Sequence, residues 1–201
     1  MKGLLLKDFY IIKSLLLIIL VEFVAVGTGL AFLASPYVLI VLATVMLGMI
    51  SVTTINSDKT SGWAKLSVTL PVSRQTLISS KYLMYVLLSA AGLAAGTLLS
   101  LVISSMFREF DPEKIFLFIS ISITLCFLSG SSMIPCYFIF NEEKSILGSL
   151  ISYPLAAGIF VVLSLLFDNM LLMSITCICA SALLFFISWT LSCKFIPKRD
   201  I

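Results

Sequence analysis

Long apolar runs alternate with short polar breaks along this chain, and the runs carry no period-2 alternation. Six are long enough to cross a bilayer: Ser14–Leu33, Tyr37–Ile55, Tyr82–Phe107, Ile115–Phe140, Ile146–Phe167 and Leu171–Phe195. A hydrocarbon core of about 30 Å needs about 20 mostly apolar helical residues. Unpaired backbone groups are costly in lipid, so each run predicts a continuous helix. Barrel strands would alternate apolar and polar residues, which these do not. The pattern therefore predicts an all-α membrane protein, one domain over residues 1–201 with six transmembrane helices. The first run resembles a signal peptide, but it exceeds an h-region of roughly 7–15 residues and is read as a retained span.

The charges orient this bundle. Eleven of the 13 basic residues fall in connections on one side: Lys2, Lys7, Lys13, Lys59, Lys65, Arg74, Lys81, Lys144, Lys194, Lys198 and Arg199. The other side holds Arg108 and Lys114 beside Glu109, Asp111 and Glu113, together with Asp168. By the positive-inside rule both termini and the connection after the second span are cytoplasmic. Only 11% of the 201 residues are charged and 60% are hydrophobic. A soluble domain carries about 25% charged residues. No basic tract points to nucleic acid.

The composition also excludes chemistry. There is no histidine, hence neither the commonest metal ligand nor the commonest general base. The five cysteines, Cys126, Cys136, Cys177, Cys179 and Cys193, lie in apolar runs without C-x-x-C spacing and read as small packing residues. No G-x-x-x-x-G-K-[ST] phosphate loop is present, since Gly62 is followed by Trp63. The chain is therefore read as no enzyme, with no cofactor of its own.

One polar stretch, SDKTSGWAKLSVTLPVSRQTLISSKYL from Ser57 to Leu83, is far longer than a connector requires. Projected as a helix over Asp58–Leu70, it places Trp63, Leu66 and Leu70 on one face and Lys59, Lys65 and Thr69 opposite. This predicts a short amphipathic cytoplasmic helix between spans two and three, with Trp63 as its interfacial anchor. Pro71 ends it, and Ser73 is positioned to N-cap a helix from Arg74 into the third span. Two readings stand: a basic interfacial loop, or an element that docks a soluble partner.

These residues resemble a known family. Asp58-Lys59-Thr60-Ser61-Gly62-Trp63-Ala64-Lys65, then Leu70-Pro71-Val72-Ser73-Arg74, then Lys81-Tyr82 are similar to the signature of small ABC type-2 transporter permeases. The opening Met1–Asp8 resembles that family's N-terminal segment, and the likeness extends to permeases that export amphipathic peptides, phenol-soluble modulins among them. The resemblance implies a coupling segment over about residues 56–81 that seats in a separate ABC ATPase subunit, through Asp58, Lys59, Gly62, Trp63, Lys65, Leu66, Leu70, Pro71 and Arg74. It implies a connecting helix along the membrane surface over Lys2–Lys13. It further implies a bacterial plasma-membrane exporter working as a homo- or heterodimer of permeases, with ATP and Mg in the partner subunit. The alternative class is a membrane accessory or immunity protein that binds a partner without forming a pathway.

Three further features lie within the spans. Glu22 is the one acidic residue well inside a run, and a charge near the bilayer centre costs at least about 2.5–3.5 kcal/mol. It should face the bundle, a cavity or a partner, serving either a pathway or helix packing. Gly92, Gly96 and Ser100 form a small-residue ridge, and Gly148, Ser152 and Ala156 form another; such ridges let membrane helices approach closely. Pro135 and Pro154 predict kinks in the fourth and fifth spans.

Overall fold

A computed structural model describes residues 2–66, 73–107, 110–140, 142–167 and 169–196. The described residues form helices and no strands: α1 (Lys2–Leu33), α2 (Val38–Thr60), α3 (Trp63–Leu66), α4 (Arg74–Phe107), α5 (Pro112–Ile139), α6 (Glu142–Ser164) and α7 (Met170–Phe195). All but α3 are long and apolar enough to cross a membrane. The six-span expectation holds for the helices themselves. Two are longer than their apolar runs, because polar first turns continue the helix. At 1.5 Å per residue, the 34 residues of α4 extend well beyond a bilayer core. α1 is likewise unbroken from Lys2 through Lys13 into the span. A separate surface helix over Lys2–Lys13 is therefore corrected to the first turns of one long helix, since no proline or other breaker interrupts them.

α2 is the central helix, packed most closely on α4 and also on α5 and α1; α7 lies on α5 and α4, and α6 on α5. The small-residue ridge explains the closest approach. A Cβ on Gly92 would fall 2.5 Å from the Ala43 carbonyl oxygen, and one on Gly96 would fall 2.9 Å from the Ile40 Cα. Ser100 is fully buried on the same side of α4. The second ridge faces α5, where a Cβ on Gly148 would meet Cys136 at 3.3 Å. Tyr82, Tyr85 and Phe127 gather around Phe185 where α4, α5 and α7 meet, with ring centroids 5.3–6.1 Å from its own.

Several buried hydroxyls are satisfied within their own helices. Thr44, Ser122 and Ser152 donate to the carbonyl four residues back in their own helices, which keeps polar groups compatible with an apolar interior. Pro135 is accommodated by a neighbour. Its missing N–H frees the Ser131 carbonyl of α5, and Ser188 Oγ of α7 donates to that oxygen at 2.6 Å. Because Ser188 spends its proton there, Tyr82 Oη donates to Ser188 Oγ at 2.9 Å. Beside this chain an outward-opening groove of about 360 Å³ runs between α5 and α7, with Pro135, Ser188 and Ser192 on its walls.

At the end of the bundle away from the chain termini, Asp111 caps α5 by accepting from the backbone N–H groups of Glu113 and Lys114, with Pro112 following it. Tyr37 Oη accepts the Asp111 N–H at 2.9 Å, tying the start of α2 to that cap. Desolvation pushes the Asp111 carboxyl up, but the hydrogen bonds from Lys114 and Glu113 and the Lys114 charge outweigh it and hold the carboxyl below its usual range.

Candidate functional site

The beginning of α1, the end of α2 and the beginning of α4 converge at one end of the bundle, joined there by the end of α7 through Tyr82 and Ser192. α2 ends because the chain turns at Ser61-Gly62. Gly62 takes φ +73°, and its N–H donates to the Lys59 carbonyl. That is a left-handed glycine cap, a conformation other residues enter at a cost. Trp63–Leu66 then form α3. The single helix expected over Asp58–Leu70 is thus corrected to the last turn of α2, a break at Gly62 and a new helix from Trp63, described as far as Leu66.

The break sorts the candidate residues. Asp58 belongs to α2 and is buried. Lys59 folds inward, donating to the carbonyls of Tyr137 and Phe140 at the C-terminal end of α5, the latter at 2.8 Å. Its ammonium there meets the negative end of that helix dipole. Trp63 is half-buried, whereas Leu66 is 56% exposed. Arg74 opens α4 and is half-buried. The backbone of Lys65 lies in α3, and Leu70 and Pro71 lie outside the described residues. Ser73 caps α4 as expected, its Oγ accepting the Thr76 N–H at 3.2 Å.

Lys7 and Asp8 stand in the N-terminal segment and Lys81 in the Lys81-Tyr82 pair, far apart in sequence; the structure closes them into a ring with Asp58. Lys81 Nζ lies 2.8 Å from Asp8 Oδ1 and 2.7 Å from Asp58 Oδ2, and donates to Thr54 Oγ1 at 3.0 Å. Lys7 Nζ pairs with Asp58 Oδ1 and stands 3.3 Å from Asp8 Oδ1. Each lysine bridges both carboxylates, so the two positive and two negative charges cancel. Asp8 is only 1% exposed, and its Oδ2 is buried without a hydrogen-bond partner. Lys7 is the outermost member, and its ammonium lies 4.8 Å from the centroid of the Trp63 ring. Cations are attracted to an indole face at this range. The ring thereby joins α1, α2 and α4 to α3.

Glu22 sits midway along α1 and is exposed, turned away from the rest of its own chain. No cluster of three or more metal-ligating side chains exists among the described residues.

Six helices long and apolar enough to span a bilayer define a multi-pass membrane protein. The family model described as "ABC-2 family transporter protein" matches residues 3–196, and the chain belongs to that family. It is accordingly the membrane-embedded permease component of an ABC transporter, in a family whose members typically work with an ABC ATPase. Searches of curated proteins and of solved structures returned no match.

Proposed function

We propose that this chain forms half of the pathway of an ATP-driven exporter in the bacterial plasma membrane, pairing with a second permease and coupling to a pair of ABC ATPase subunits that hold ATP and Mg. The observation that carries this reading is α3: a short helix set off by Gly62, with Leu66 exposed, at the lysine-rich end of a family-typed permease. Glu22 supports a paired arrangement, because an acidic side chain exposed on an otherwise apolar face of α1 is costly against lipid and tolerable against protein or water. Amphipathic peptides are the proposed cargo, on the resemblance of the Asp58–Lys81 stretch to peptide-exporting permeases.

An ABC ATPase should co-purify with the chain from its native membranes. A well-packed tryptophan at an interface contributes about 2 kcal/mol or more on truncation, roughly thirtyfold in affinity. Trp63→Ala should therefore insert at normal levels yet retain little ATPase, and Leu66→Glu should do the same without disturbing the ring. Wild-type levels of ATPase on both variants would remove α3 as the docking element; no ATPase on the wild-type chain would remove the reading itself.

The orientation, which rests on the lysine asymmetry, has its own check. In a background freed of the five native cysteines, Asp111→Cys should react with a membrane-impermeant thiol reagent in intact cells, and Lys144→Cys should not. The reverse pattern would place α3 on the outside and make docking to a cytoplasmic ATPase impossible.

A further inference from the structure

The ring of Lys7, Asp8, Asp58 and Lys81 has a feature that simple stapling of helices does not require: one of its cations leaves the ring to hold a side chain on a separate element. Lys7 has two attachments inside the ring and one outside it, the Trp63 face. Gly62, with a positive φ and open space where a Cβ would stand, breaks the helix between α2 and α3. Lys81 is far more enclosed, at 9% side-chain exposure against 24% for Lys7, and Thr54 fixes it further. The ring consequently has a fixed inner cation and a displaceable outer one.

We propose that Lys7 is a positioning residue that reads the charge balance of the ring and sets the orientation of α3, so that α1 and α4 are mechanically linked to the coupling segment through its ammonium. The inference rests on α3 being the docking element only for its biological use, since the linkage itself belongs to the isolated chain. Its logic is electrostatic. With two carboxylates and two ammoniums, Lys7 is held over both Asp58 and Trp63. Neutralising Asp8 leaves both ammoniums on Asp58, one at each oxygen, with one positive charge uncompensated. The enclosed Lys81 cannot leave, so Lys7 is displaced outwards and Trp63 loses its cation. Neutralising Lys81 leaves two carboxylates for Lys7 alone, which holds it more firmly. A docked partner that moves Trp63 away removes the outer attachment of Lys7 and leaves its ammonium to Asp58 and Asp8 alone. Such a two-position element is what coupling between distant sites physically requires.

The test uses the full chain in lipid nanodiscs with acrylamide as the probe. The protein has two tryptophans, so a Trp189→Phe background leaves Trp63 as the only indole. Asp8→Asn, which does not touch Trp63, should raise its acrylamide quenching about threefold, the factor set by losing a cation–π contact at a partly exposed site. Lys7→Met should raise it equally, and Lys7→Arg should not. Lys81→Gln should leave quenching at or below the starting value, and the double variant Asp8→Asn/Lys81→Gln should return it close to that value by restoring neutrality. Equal rises in Asp8→Asn and Lys81→Gln, or no change in Asp8→Asn with the chain still monodisperse, would overturn the proposal, because a merely structural ring does not respond to the sign of the charge removed. A separate arm adds the co-purified ATPase, which should shield Trp63 if α3 docks there. Failure of that arm alone would refute docking and leave the linkage standing.

Discussion

Gly92→Leu should yield a chain that fails to reach its packed bundle, with little monodisperse protein and an apparent Tm lowered by about 10 °C. The obstacle is main chain, not a movable side chain. A single Cβ at position 92 would fall 2.5 Å from the Ala43 carbonyl oxygen and 3.0 Å from the Thr44 Cα. Relief requires separating α4 from α2, the most extensively packed pair in the bundle, and α2 also carries α1 and α5. Overpacking typically costs about 1–3 kcal/mol where side chains can give way, and a backbone obstacle places this site at or above the upper part of that range. Gly96→Leu should act in the same direction, its nearest obstacles lying at 2.9 Å. Gly158→Leu is the control, because nothing lies within 4 Å of a Cβ there. Equal thermal stability of the Gly92 and Gly158 variants would show that α2 and α4 do not meet as described.

The ridge was legible because its signal is local: small residues four apart on one apolar run. The spans and the Ser73 cap were legible for the same reason. The break at Gly62 was written in the chain too, as a Ser-Gly pair of the kind that marks turns, but a helical projection over Asp58–Leu70 runs straight through it. Projection assumes continuity, and Lys59 stands opposite Trp63 on one helix only if that helix runs unbroken through Gly62. The partners of Lys59 were not legible for a different reason. Its partners are backbone carbonyls of α5, some eighty residues later, and carbonyls leave no trace in residue type.

The charge ring was not legible, and the reason is physical. Its members are at positions 7, 8, 58 and 81, and each lysine taken alone obeys the positive-inside rule. Only proximity of three helix ends turns a topological signal into a structural one. The available clue was Asp8 and Asp58, acids set among the lysines of the basic side. Glu22 shows the converse. Its oddity was plain from the sequence, but its direction is a property of how α1 packs, and α1 turns it outwards.

Lys81→Met should be the most damaging change to the ring. It removes the cation that contacts Asp8 at 2.8 Å, Asp58 at 2.7 Å and Thr54 at 3.0 Å. Asp8, only 1% exposed and already carrying one unpartnered oxygen, is then left with Lys7 at 3.3 Å. Breaking a buried pair by deleting one partner costs about 3–5 kcal/mol, whereas replacing both partners by apolar groups of similar size is often close to neutral. The single variant should therefore lose about 10 °C or more of apparent Tm. Asp8→Leu/Lys81→Met should recover most of that loss, since the remaining Lys7–Asp58 pair is neutral by itself. This separates stability from linkage: the double variant should be stable yet hold α1 to α4 by apolar contact, with Lys7 no longer sharing its anions with the third span. If Lys81→Met alone matches the wild-type Tm, the ammonium of Lys81 is not enclosed between the two carboxylates, and the ring loses its inner member.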